Sequence, residues 1–134
     1  MKADYEIPED LLYTEEHEWL RRDEEDPDQG TIGITDFAQD GVGDVVYLDL
    51  PSEGDSVSAG EPCGEIESAK TVSDLYAPVD GVVVVTNGEL EDQPELVNLS
   101  PYGDGWLIRV RMADAGQLGT LLDASAYRTL LEDH

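Results

Sequence analysis

A chain of 134 residues with 32 Asp and Glu against 7 Lys and Arg carries a formal net charge of -25, which repels nucleic acid and anionic lipid and excludes both as partners. With 40% hydrophobic residues and a single cysteine, Cys63, it is expected to fold without a disulfide as one domain over 1–134, its core over about 13–111 and a helical segment over about 115–133. No apolar run approaches the roughly 20 residues that span a bilayer and the charged start has no apolar signal-peptide core, so the expected compartment is the cytoplasm.

Short strands punctuated by Gly, Pro, Asn and Asp dominate the pattern. Ile32 and Ile34 alternate with Thr31, Gly33 and Thr35. Asp36 to Gly41 predicts a turn or two of helix ended by glycine. Val46, Leu48 and Leu50 alternate with Val45, Tyr47 and Asp49 until Pro51 stops the strand. Imperfect alternation over Glu61 to Glu67 predicts a bulged or twisted strand. Val82 to Val85, the longest apolar run, reads as a buried strand. Trp106, Ile108 and Val110 alternate with Leu107, Arg109 and Arg111. A short helix is expected within Ala115 to Leu122, followed by an Asp123-capped helix to Leu131 that packs Tyr127, Leu130 and Leu131 back on the sheets. Gly43 to Leu48 and Asp80 to Val85 echo one another faintly. The sum is a mainly β fold, a flattened quasi-symmetric barrel or sandwich of short antiparallel strands with short helices and a C-terminal helix.

The chain has only two lysines, Lys2 and Lys70. Lys70 stands in a polar stretch, Gly64 to Pro78, between two strand-like segments, where a primary amine is an attachment point for an acyl group. Ser68, Ala69 and Thr71 are small enough to leave it open, and Glu65, Glu67 and Asp74 offer charges that a loading enzyme could read. An ordinary polar hairpin would use the same residues. His17 lacks a nucleophile or metal-ligand partner at any useful spacing and reads as a packing residue at a strand start; Cys63 reads as a small core-facing residue. No catalytic residue and no metal motif is found.

The chain resembles the H-protein family of the glycine cleavage system. The stretches that carry the resemblance are Tyr13-Thr14-Glu15-Glu16-His17-Glu18-Trp19, Gly33-Ile34-Thr35-Asp36-Phe37-Ala38-Gln39, Gly43 to Pro51, Gly64 to Pro78, Pro94 to Asn98 and Ser100 to Ile108. The resemblance implies a barrel-sandwich hybrid of lipoyl-domain type, with lipoic acid in amide linkage to Lys70 and Glu67, Ser68, Ala69, Thr71 and Ser73 as the loading motif. It implies a carrier that is not itself an enzyme, with Glu18 and Asp74 lining the cleft that receives the arm. It also implies four partners: a pyridoxal-phosphate glycine decarboxylase, an aminomethyltransferase, dihydrolipoamide dehydrogenase and a lipoate-loading enzyme. Gly41 departs from the family, many of whose members have a larger side chain there, and Arg21 to Gly30 forms a longer acidic hairpin than the fold needs.

Other functions remain distinguishable: a relay handing lipoyl or octanoyl groups to other acceptors, a biotinyl carrier, or a lipoyl domain of a 2-oxo-acid dehydrogenase. Biotinyl carriers favour methionine on both sides of their lysine, whereas Ala69 and Thr71 flank Lys70. The acidity is open to two readings, a recognition surface for basic enzymes or a solvation adaptation of the kind found in salt-loving organisms; the dispersal of the acids along the chain favours the second. High surface charge opposes self-association and predicts a monomer. It also predicts that thermal unfolding moves to lower temperature as salt is withdrawn, because like charges lose their screening; a melting temperature independent of salt would contradict the adaptation reading.

Overall fold

The computed structural model describes residues 4–133; Lys2 and His134 lie outside them. In chain order the strands are β1 (Leu12–Tyr13), β2 (Glu18–Arg22), β3 (Gln29–Ile34), β4 (Val45–Asp49), β5 (Ser56–Val57), β6 (Pro62–Ser68), β7 (Val72–Tyr76), β8 (Gly81–Thr86) and β9 (Ile108–Met112). Helix α1 (Asp36–Val42) follows β3, α2 (Leu96–Leu99) lies between β8 and β9, and α3 (Ala124–Glu132) ends the chain. Two 3-10 segments, Gly88–Glu91 and Ala115–Thr120, complete the elements.

A six-stranded sheet in the order β1-β2-β3-β9-β8-β5 packs on a three-stranded sheet β4-β6-β7, with antiparallel pairing throughout. Leu20, Ile32, Val83 and Val110 from the first meet Val45, Ile66 and Leu75 from the second in the main core. Burial of such aliphatic side chains is the principal stabilising term. A second cluster lies beneath α3, where Tyr127 stacks on Tyr13 with ring centroids 4.6 Å apart and both rings fully buried. Leu130 and Leu131 pack against its edge, as their helical spacing predicts.

Three bulges alter the simple alternation. The first places Val46 as an extra residue between Val45, opposite Ser68, and Tyr47, opposite Glu67. Val46 and Tyr47 are therefore both exposed, and the expected alternation through this strand fails. The second sits at Cys63, between Pro62 and Gly64, within the segment whose irregular pattern predicts one. The third lies at Val84, and it overturns the reading of Val82 to Val85 as wholly buried: Val83 is enclosed while Val82 and Val85 are exposed on the outer face. An apolar run cannot reveal which of its members a bulge turns outward.

The end of α1 is also displaced from expectation. Thr35 caps its start by accepting from the Ala38 amide, and the helix runs through Gly41 to stop at Gly43. Gly43 has φ of 89° and donates its amide to the Gln39 carbonyl. That left-handed backbone is what glycine permits at a helix C-terminus and other residues resist.

A close approach of β2 and β3 supplies a test of the packing. Gly33 lies opposite Trp19, and a Cβ at Gly33 would stand 2.6 Å from the indole Cε2 and Cζ2. The indole cannot step aside, since it is fully buried and its Nε1 donates to the Pro101 carbonyl at 3.0 Å. Gly33→Ala is expected to cost about 1–3 kcal/mol through overpacking, read as a lower denaturant midpoint at constant salt.

Candidate functional site

Lys70 stands at the tip of the β6–β7 hairpin. The last β6–β7 pair is Glu67 opposite Val72, leaving Ser68 to Thr71 as the turn. Ser68 organises it from within. Its amide donates to the Thr71 carbonyl at 2.8 Å, and its Oγ accepts from the amides of Lys70 (3.2 Å) and Thr71 (3.1 Å). The hydroxyl also donates to the Thr71 carbonyl. Ser68 is buried, whereas Ala69, Lys70 and Thr71 are exposed. A serine hydroxyl that meets its turn's backbone groups stabilises that turn locally. Ser73, half-buried, stands opposite Ile66, and Glu67 is exposed.

The lysine stem does not project straight out. A Cβ at Gly43 would lie 3.1 Å from Lys70 Cε and 3.8 Å from Nζ, so the stem rests across the glycine that ends α1. Asn98, from α2, holds that ledge. Its Nδ2 donates to the Gly43 carbonyl (2.8 Å) and to Gln39 Oε1 (3.0 Å), and its Oδ1 accepts from the Val45 amide (2.9 Å). Neither Gly43 nor Asn98 stands out as a site residue from the sequence pattern alone. The helix-ending glycine was a usable signal, but the pairing of Asn98 with a segment more than 50 residues away was not.

Glu18 is the most enclosed carboxylate of the site, only 1% exposed. Its Oε1 accepts from Thr14 Oγ1 at 2.6 Å and its Oε2 from the Tyr76 amide at 3.2 Å, so a side chain of β2 reaches the free edge of β7. Burial pushes its pKa up to about 8, against the opposing pull of these two hydrogen bonds, with the Glu16 charge adding to the rise. Asp74, two residues before Tyr76, is exposed and opposite Glu65. The fold thus brings Glu18 to the strand that bears Asp74 but encloses one carboxylate and leaves the other in solvent.

The remaining groups have structural partners. Burial, and after it the Glu18 charge, raises the half-buried Cys63 thiol to about 11, so it stays protonated near neutrality. His17 adopts φ of 71° in the β1–β2 turn, places Nδ1 2.8 Å from the Tyr127 hydroxyl and lies against Phe37. A Cβ at Gly41 would meet nothing within 4 Å, so this position is open space on α1. The acidic stretch after β2 is internally ordered, with Asp23 Oδ1 accepting from the amides of Glu25 and Asp26. Among the described residues no group of three or more His, Cys, Asp or Glu side chains could hold a metal ion.

Comparison with known proteins agrees with this geometry. The family model described as glycine cleavage H-protein matches residues 11–134. A glycine cleavage system H protein of Cronobacter sakazakii is 49% identical over 127 residues, covering 95% of this chain and 97% of the relative. One of Marinobacter nauticus is 52% identical over 122 residues, covering 91% and 92%. The crystal structure of a glycine cleavage system H protein from Mycobacterium marinum superposes with a TM-score of 0.85 at 43% identity, covering 94% of this chain and 99% of that one.

The raised Glu18 pKa has a measurable consequence. Between about 4.5 and about 8 the folded chain holds a proton on Glu18 that the unfolded chain has released. Stability from this residue is therefore fully present below about 4.5, declines as pH rises and is lost above about 8. Glu18→Gln removes that titration. The unfolding free energy of the original chain minus that of the variant should fall across this window and level off above it, measured by denaturant unfolding at several pH values; a difference independent of pH would contradict the assignment.

Proposed function

This chain belongs to the glycine cleavage H-protein family and is a carrier component of the glycine cleavage system, and we propose that its carrier group is lipoic acid joined to Lys70 through an amide. The observation that carries the reading is an exposed primary amine on a turn whose backbone is held by a buried serine. The residues present fit such a group. Small exposed neighbours, Ala69 and Thr71, leave the amine accessible, and a flexible stem extends from a rigid base. Acylation by an ATP-activated lipoate would join Nζ to the carboxyl carbon as the activating phosphate ester leaves and Nζ gives up protons; it would remove the ammonium charge and preserve the swing of the stem. When bound, the dithiolane supplies a reversible thiol–disulfide couple and a sulfur able to bear a one-carbon unit.

The lipoyl carrier role is to shuttle the aminomethyl unit of glycine from glycine decarboxylase, a pyridoxal-phosphate enzyme, to aminomethyltransferase. Dihydrolipoamide dehydrogenase is the partner whose flavin and NAD would take the two electrons of the dithiol, and a lipoate-loading enzyme would install the group by reading Glu67, Ser68, Ala69, Thr71 and Ser73 around Lys70. The arm-docking cleft lies by β7. Asp74, exposed, offers negative charge to a cationic amine on the arm. Glu18 anchors the strand through the Tyr76 amide and, with a pKa raised to about 8, adds little charge near neutrality. The chain works as a monomeric carrier with no catalytic residues of its own. No described helix is long and apolar enough to cross a membrane.

Lys70→Arg tests the assignment. The variant is expected to keep its melting temperature and to lose both the mass of one lipoyl group and all support of glycine–bicarbonate exchange by glycine decarboxylase. Intact-mass analysis with peptide mapping reads the first, and isotope exchange the second. A lipoyl mass on another residue, a biotinyl mass on Lys70, or lipoyl transfer without glycine exchange would each point away from the proposal.

A further inference from the structure

The charges of the two sheets are segregated by sign. The charged strand residues of the three-stranded sheet are Asp49, Glu65, Glu67 and Asp74, all exposed. On the six-stranded sheet they are Arg21, Arg22, Arg109 and Arg111, with Glu18 enclosed. Four of the chain's five arginines thus lie on the sheet that does not bear Lys70. Uniform surface acidity would not sort the cations in this way.

The acidic sheet also exposes apolar side chains next to the lysine. Tyr47, Glu67 and Val72 form the last row that crosses all three strands before the turn. Tyr47 is 59% exposed and Val72 55%, and the bulge adds Val46 at 51%. The next row on this face is Asp49, Glu65 and Asp74, carboxylates directly opposite one another. Like charges so placed oppose sheet pairing, and a cationic partner would relieve the repulsion. Past Val46 the surface continues into a groove of about 600 Å³ between β4 and the segment after β8, lined by Leu48, Leu50, Val85 and Leu90 with Asp49 and Glu91 among its acids.

We propose that this outer face of the three-stranded sheet is where the enzyme that acylates Lys70 docks, through apolar side chains ringed by Arg or Lys at its active-site mouth. The proposal deepens the carrier reading and rests on it. Reach selects this enzyme over those that use the loaded arm. A bare lysine has only four methylene groups, and here its outer two, Cδ and Cε, lie by Gly43, so an enzyme that reaches the amine must press against the flanks of the hairpin. The loaded arm carries its reactive end well beyond those flanks, and enzymes acting there need less of the face. Apolar anchors surrounded by complementary charge are the usual source of affinity and of on-rate, respectively.

The test uses the full chain with a lipoate–protein ligase, lipoate and ATP. Tyr47→Ser combined with Val72→Thr should raise the KM for the carrier about tenfold with kcat unchanged. Asp49→Asn should flatten the increase of KM with salt. All three side chains are exposed, and a melting temperature no lower than that of the original chain confirms the fold. Loaded to completion at high concentration, each variant should support glycine–bicarbonate exchange at the rate of the original chain. Unchanged KM and salt dependence would overturn the proposal, as would an equal loss in exchange by the loaded variants. A concentration-dependent dimer abolished by Tyr47→Ser would assign the face to a second copy and also overturn it. Failure of the original chain to be loaded at all would sink the carrier reading itself, a different result from loading with the same KM as the variants.

Discussion

A carboxyl group enclosed between two sheets must find hydrogen-bond partners, and much of the architecture around Lys70 follows from meeting that demand at Glu18. Left unpartnered, this carboxyl group, largely protonated near neutrality, would still cost about 1–3 kcal/mol, a sizeable fraction of the ~5–15 kcal/mol that stabilises a small domain. The β1–β2 turn provides one donor by folding Thr14 back on Glu18, with the left-handed backbone at His17 closing the turn. Tyr127 reaches from α3 to His17 and to Thr35, the cap of α1. The other donor is the Tyr76 amide on the edge of β7. Helix α3, the cap of α1 and the hairpin strand are thereby referred to a single turn, which ties the position of Lys70 to the far end of the chain.

Two devices divide the control of Lys70. Ser68 fixes the backbone of the turn, and the ledge made by Gly43 and Asn98 supports the stem. The first is local in sequence. The second joins α1, α2 and β4 and depends on the packing of the whole domain. Rigid backbone with a flexible tether is what a carrier requires: the point of attachment must be recognisable, while the reactive end must move between sites.

Much of this was legible in the sequence where local chemistry decides the outcome. The strand over Ile32 and Ile34, the Asp123 cap, the packing of Tyr127 and the turn around Lys70 each follow from nearest-neighbour patterns. Reading failed where pairing across strands decides. Nothing in the order Val45-Val46-Tyr47 announces that Ser68 and Glu67 oppose only the outer two, so that Val46 and Tyr47 both emerge. Gly41 and Gly43 both offer a stop for α1, and the choice falls to Gly43 in a structure where its carbonyl is held by Asn98. Glu18 could be singled out by resemblance, but its enclosure depends on β7 arriving beside β2.

The turn held by Ser68 has a consequence for how quickly the domain can change hands. Because the amides of Lys70 and Thr71 already have a partner inside the chain, the backbone of the tip is ordered before any encounter. Little backbone entropy remains to be lost on association, the remaining loss falling on the lysine stem. Affinity therefore need not be gained through slow ordering of a loop, and complexes can form and separate as rigid bodies. A shared component visited in turn by several enzymes profits from brief contacts, since long residence on one of them would withhold it from the next.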